Sequence, residues 1–228
     1  MLQSEEHINL PSSETLPCSD DTPVDNELQN YIPNFLLFLL EFIWQERQDW
    51  FFGADMAVYH TTGKTPLVPV VPDGFLSLNV PRRKEGQTYR KSYVIWEENY
   101  IAPLLTLEVV SLTPGGEYEE KLEIYARLGV LYYVIYNPLF WLRDRHQPFE
   151  IYKLIDGGYE LQIGEPYWMP EIGLGIGRKR GNFGGLDREL LFWFDAAAQS
   201  YRTPEEILSY QAQILERYRQ QFGDLTSE

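Results

Sequence analysis

Residues 104–138 read LLTLEVVSLTPGGEYEEKLEIYARLGVLYYVIYNP, and this stretch decides the fold. Leu104–Ser111 is nearly continuous apolar sequence, the mark of a strand buried on both faces, as in parallel sheets. Thr113, Pro114 and two glycines break it. Residues 117–128 then run at helical period, and Gly129 is a good C-terminal stop. Val130–Tyr136 is a second apolar run rich in β-branched and aromatic residues, ended by Asn137-Pro138. Strand, helix and strand in this length make a βαβ unit, with parallel strands and a right-handed crossover.

Two charged residues intrude on that unit. Glu108 stands among Leu107, Val109 and Val110. A carboxylate buried there costs several kcal/mol unless it is paired or binds a metal. The alternatives are a strand-end glutamate facing solvent and one in a structural ion pair. Lys121 falls inside the apolar stripe of its helix, with Tyr118, Leu122, Ile124, Tyr125 and Leu128 around it. That face packs on the sheet that contains Glu108, which predicts a Lys121–Glu108 meeting; the alternative is a lysine that snorkels to the rim.

Working toward the N-terminus, Leu67–Val71 is a short apolar run closed by Pro72-Asp73, so Asp73 is expected at the end of a strand. Taken alone, Asp73 is an ordinary turn residue. Met56–Thr61 alternates loosely, as in a strand, with Asp55 just before it. Residues 31–46 read as a buried helix, with Pro33 suited to its first turn and Leu36, Leu39, Leu40 and Ile43 at helical spacing. Residues 81–92 form a basic-aromatic excursion that holds Arg82, Arg83, Lys84, Arg90 and Lys91. It either contacts a phosphate backbone or is a solvated loop. Arg178-Lys179-Arg180 is a shorter run of the same kind.

Toward the C-terminus, Glu150–Leu154 and Tyr159–Ile163 flank Asp156-Gly157-Gly158, a hairpin signal. Gly173, Gly175 and Gly177 lack the lysine and serine of a phosphate loop and read as a tight β excursion. Leu190–Phe194 is a short strand. Thr203-Pro204-Glu205-Glu206 is a capping box that opens a helix to about Gln221. That helix either docks on its own domain or makes a homodimer. The expected fold is α/β (α+β): a mixed sheet flanked by helices, with an extra hairpin and a C-terminal helix. The domain covers 31–197, the helix 198–228, and an acidic arm 1–30.

Composition limits the function. Hydrophobic residues are 44% and aromatics 15%, enough for a sizeable core. The single cysteine, Cys18, rules out an internal disulfide and a cysteine-built zinc site. The longest apolar run, Phe35–Leu40, is too short to span a bilayer, so a cytoplasmic protein without a membrane segment is expected. The net charge of −15 opposes nucleic-acid binding. Residues 1–30 contain seven acids and no Lys or Arg, and removing them leaves −8 (−15 less seven negative charges). That arm is polar and aperiodic and is expected to be disordered.

Two acids and a lysine on adjoining elements suit phosphodiester hydrolysis. The carboxylates of Asp73 and Glu108 hold Mg²⁺ or Mn²⁺ through oxygen, and Lys121 acts as the catalytic base, orients water or steadies phosphate charge. The series Pro72-Asp73, Glu108-Val109-Val110-Ser111, Lys121 with Tyr125, Gly129-Val130 and Tyr133–Pro138 resembles the Uma-type restriction endonuclease family of the PD-(D/E)xK superfamily. The likeness covers roughly residues 30–195. It implies a mixed sheet, divalent-metal binding and a nuclease-like site, with Asp73 and Glu108 as motif acids. The superfamily lysine normally lies two residues after the acid, where Val110 stands; Lys121, from the following helix, matches instead. Asp55 and Glu41 are implied as accessory acids, and Asn137 occupies a structural position. The expectation is a metal-dependent endonuclease acting on DNA, with RNA left open. The alternatives are a catalytically inactive nucleic-acid- or protein-binding module and a purely structural dimer.

Overall fold

The computed structural model describes residues 10–17, 26–62, 68–84, 86, 89–113 and 115–223. In chain order its elements are α1 (Glu27–Ile43), β1 (Trp50–Ala54), β2 (Val58–Tyr59), β3 (Gly74–Leu78), β4 (Tyr93–Val94), β5 (Leu105–Val109), α2 (Glu120–Leu128) and β6 (Tyr132–Tyr136). There follow α3 (Trp141–Asp144), β7 (Phe149–Ile155), β8 (Gly158–Leu161), β9 (Tyr167–Met169), β10 (Leu174–Phe183), β11 (Leu186–Phe194) and α4 (Pro204–Phe222). The main sheet has the order β1-β3-β5-β6-β7-β8. Only β5 and β6 run parallel in it, joined through α2 as the βαβ pattern requires. This is the expected mixed sheet flanked by helices.

Strand parity divides the core. Leu105, Leu107 and Val109 of β5 join Tyr132, Val134 and Tyr136 of β6 in a cluster covered by α1 and by the sheet β11-β10-β9. The intervening Tyr133 and Ile135 face the other way, toward Tyr125 of α2 and a second cluster. All five residues of β5 are buried, as its apolar run predicts. Glu108 shares the parity of the second cluster, so it points beneath α2.

Several boundaries differ from the sequence expectation. Helix α1 starts at Glu27 because Asn26 caps it, accepting from the backbone N–H groups of Leu28 and Gln29. Pro33 therefore lies inside the helix, not in its first turn. The expected strand Leu67–Val71 begins outside the described residues, and Val70 makes only an isolated bridge to Val58. Pro69 and Pro72 lack the N–H that a strand ladder needs. The real strand is β3, so Asp73 precedes a strand and does not end one. Strand β1 was hidden from a search for apolar alternation because Trp50 to Gly53 is nearly all aromatic and glycine.

The N-terminal arm is not wholly without structure. Trp96 donates from its indole to the Pro11 carbonyl at 3.0 Å, and Tyr59 donates to the Pro17 carbonyl at 2.7 Å. Ser13 donates from both its N–H and its hydroxyl to Glu97, each at 2.8 Å. Polar tethers hold residues 10–17, which is why apolar periodicity does not reveal them. The rest of the arm up to residue 25 lies outside the described residues.

The hairpin β7–β8 turns at Asp156 and Gly157, both at positive φ, as expected. The glycines of 173–177 prove to belong mainly to a ten-residue strand. Gly177 is needed for close approach: a Cβ there would come within 2.9 Å of Pro166 Cα. Helix α4 opens on the expected capping box, yet none of its residues is buried. Among the described residues no helix is long and apolar enough to cross a membrane.

Candidate functional site

The register of β3 against β5 pairs Gly74 with Leu107 and Phe75 with Thr106. Continued by one residue, it sets Asp73 opposite Glu108, where cross-strand neighbours lie about 5 Å apart. The Val109 N–H donates to Asp73 Oδ2 at 2.6 Å, which holds the carboxylate at the end of the ladder. Two acids thus face each other where β3 begins.

Helix α2 supplies the rest. Lys121 Nζ donates to Glu108 Oε2 at 2.8 Å, and the Tyr125 hydroxyl donates to Oε1 at 2.5 Å. These donors sit one helical turn apart, so both reach the same carboxylate. Lys121 keeps 22% of its side-chain surface exposed while Glu108 keeps 2%, so the lysine marks the mouth of the site and the glutamate its floor. The meeting expected from the helix pattern is present.

The electrostatics follow from this packing. Burial, and then the charge of Glu108, push the Asp73 carboxyl up to about 8. Burial also pushes Glu108 up, against the pull of Lys121 and Tyr125. Burial works against the charge of Lys121, but Glu108 and Asp73 outweigh it and raise its value. The raised value favours the charged form of Lys121, which donates to Glu108.

Two functional candidates escaped sequence reasoning. Tyr125 read as one more apolar stripe residue, although a buried tyrosine hydroxyl needs a partner. Glu117 lies in the loop before α2, is buried, and accepts from the Gly115 N–H at 2.9 and 3.1 Å. Its charge is felt by both Glu108 and Lys121. Nothing in its local sequence separates it from the neighbouring glutamates.

The accessory acids stand apart from this core. Asp55 is exposed, but its N–H donates to the Asp73 carbonyl at 3.0 Å and its charge is among those that raise Asp73. Glu41 is on the exposed side of α1, 3.3 Å from Arg82. Among the described residues no three His, Cys, Asp or Glu side chains converge as a metal-ligand group. Asn137 is structural: it accepts from the Phe140 N–H at 2.8 Å and donates to Asp144 at 2.9 Å.

The basic excursion borders a cleft of ≈ 550 Å³ lined by Glu41, Phe51, Met56, Arg82, Arg83 and Arg90, among others. Most of its cations already have partners. Arg90 and Lys84 both bind Glu98 at 2.9 Å, and Lys91 pairs with Glu14. Arg82 lies 3.7 Å over the Trp50 ring. Arg83 is exposed and has no acidic partner among the described residues. In the shorter run, Arg178, Lys179 and Arg180 pair with Glu165, Glu206 and Asp187.

Comparison with known proteins adds the following. No curated protein matches the chain. One solved structure, described as "a putative nuclease belonging to DUF820" from Anabaena variabilis, is 12% identical, with 65% of this chain and 74% of that chain covered and a TM-score of 0.45. A family model described as "Uma2: Putative restriction endonuclease" matches residues 21–178. That match takes in α1, the main sheet, Asp73, Glu108 and Lys121, and with well over half of its length covered, the chain belongs to the Uma2 family of restriction-endonuclease-like proteins.

Proposed function

We propose that this chain is a divalent-metal-dependent endonuclease that hydrolyses phosphodiester bonds in DNA, with Asp73, Glu108 and Lys121 as its working residues. The observation that carries the reading is the opposed acid pair with a lysine 2.8 Å from one member. A chain folding for stability alone gains nothing from a buried carboxylate that raises the value of a second one beside it.

The donor set fits Mg²⁺ or Mn²⁺. Asp73 and Glu108 offer hard oxygen ligands, and such ions complete their shells with water and phosphate oxygens. A bound cation supplies charge neutralisation at the phosphate and a more acidic water. The chain's own part is separate. Tyr125 fixes the rotamer of Glu108 through Oε1. Lys121 holds Oε2 and presents its remaining N–H groups toward the mouth, where a scissile phosphate oxygen gains a donor. Asp73 is anchored by the Val109 N–H and, once ionised, would hold the cation together with Glu108.

The test is cleavage of double- and single-stranded DNA, and of RNA, by the full chain in Mg²⁺ or Mn²⁺. DNA cleavage that stops with chelator, and falls at least about 100-fold in Glu108→Ala, supports the reading. A folded chain that binds DNA but cuts no substrate in either metal would favour the inactive binding module.

A further inference from the structure

We propose that the cleft beside β1 holds an unpaired nucleotide, which makes single-stranded DNA, or a duplex end frayed into single strands, the substrate class; the word substrate rests on the nuclease reading, the binding does not. Strand β1 is an edge strand of the main sheet. Phe51, Phe52, Gly53 and Ala54 all line the cleft, so it runs along the open edge of that strand. Leu37 and Glu41 of α1 form one wall and the basic excursion the other. The far end reaches Ala54, which pairs with Gly74 beside Asp73, and the next residue, Asp55, donates its N–H to the Asp73 carbonyl. A strand lying in the cleft is thereby led to the acid pair. A volume of ≈ 550 Å³ is that of a small-molecule pocket, with room for a nucleotide and none for the width of a duplex.

The side chains of the excursion divide into those already engaged and those left over. Arg90 donates to both oxygens of Glu98, at 2.9 and 3.2 Å, and to the carbonyls of Pro81 and Arg82, at 2.7 and 3.0 Å. Lys84 is held between Glu97 and Glu98. Arg82 lies 3.7 Å over Trp50 and 3.3 Å from Glu41, the acid on the α1 wall. These bonds fix the backbone around Arg82. Arg83, next in the chain, is exposed and has no acidic partner among the described residues. Tyr89 is 82% exposed, and no described ring stacks on it. A guanidinium on a fixed backbone and an open aromatic face together recognise a phosphate and a base. A base inside a duplex has both faces covered by its neighbours, so only an unpaired one offers a face to Tyr89. The net charge of −15 points the same way. So acidic a chain gains little from phosphate contacts spread along a duplex, whereas stacking carries no charge and one arginine suffices for one phosphate. A peptide strand added to the edge of β1 would leave both side chains unused.

The measurement is fluorescence anisotropy of the full chain with a short labelled DNA oligonucleotide, single-stranded or annealed to its complement, in chelator so that neither metal nor cleavage contributes. The single strand should bind at least about tenfold tighter than the duplex. Tyr89→Ala should weaken single-strand binding about tenfold. Arg83→Ala should weaken it as well and make the log–log salt slope shallower by about 0.7. Both side chains are exposed, so both variants keep the fold. Equal affinity for single strand and duplex overturns the proposal. So does single-strand binding that the two variants leave unaltered, or no binding of either form, as expected if the cleft takes a peptide strand. The two readings fail separately. Single-strand binding that the variants weaken, in a chain that cuts nothing in Mg²⁺ or Mn²⁺, would end the nuclease reading and leave the cleft as a single-strand site. Cleavage of duplex and single strand alike, with KM unaltered in both variants, would do the reverse.

Discussion

Asp73 and Glu108 are two acids held opposite each other where β3 meets β5, so the charge of one opposes ionisation of the other. Because burial and Glu108 raise Asp73 to about 8 from an ordinary value of 3.8, the folded chain binds a proton more tightly than the unfolded one. The stability linked to that proton is fully present below about pH 4 and is lost as pH rises through about 8. Asp73→Asn should therefore stabilise the metal-free chain by several kcal/mol more at pH 9 than at pH 5. Urea titrations at the two pH values measure this; an equal effect at both would mean that neither burial nor Glu108 opposes the charge of Asp73. Tyr125→Phe removes one of the two donors to a buried carboxylate and should cost about 1–3 kcal/mol. Its cleavage rate should fall less than that of Lys121→Met, since in the proposed mechanism Tyr125 only positions Glu108 while Lys121 faces the substrate. At this scale the sequence was informative where a residue type broke a pattern. Glu108 in a buried strand and Lys121 in an apolar stripe were both conspicuous. Tyr125 and Glu117 were not, because a tyrosine suits an apolar stripe and a glutamate suits a loop.

Among the elements, the parallel pair β5–β6 and its connecting α2 were legible, since each has the period of its own secondary structure and a glycine or proline at its ends. Strand β3 was not. Prolines at 69 and 72 made the residues before Asp73 look like a closed strand, whereas the ladder starts after them. The error moved the strand and left the acid in its place, because a site at a strand boundary is reached from either side. Of the sheet β9–β11 the end of β11 was legible as Leu190–Phe194, but the length of β10 was not: glycines that permit close packing at Gly177 look the same in sequence as glycines that make turns. Helix α4 gives the clearest element-level test. Thr203 accepts from the Glu206 N–H while Glu206 accepts from the Thr203 N–H. Thr203→Ala should destabilise the first turn by about 1 kcal/mol. Amide exchange there should quicken about fivefold, with the β5 amides unchanged; equal quickening in both would show that the cap supports the whole domain.

For the molecule as a whole, charge is the tension in a nuclease reading. A net charge of −15 repels a polyanion, and the basic excursion that could offset it is largely paired with the chain's own acids. Among the described cations of that excursion only Arg83 lacks an acidic partner, so few counterions should be released there on binding. The log–log salt slope of DNA affinity should be shallower than about −3. A slope near −6 or steeper would mean that the paired arginines are given up to phosphate. Nucleic acid would then be held chiefly at the acid pair, through a metal, which makes the metal the point on which the account turns. The direct test is calorimetric titration of the full chain with Mn²⁺ at pH 7 in buffers of different ionisation enthalpy. Saturable binding with release of about one proton, as expected for an Asp73 that must ionise, and its loss in Asp73→Asn and Glu108→Gln, is the result predicted. Absence of binding at millimolar Mn²⁺, or binding that neither substitution alters, would contradict it.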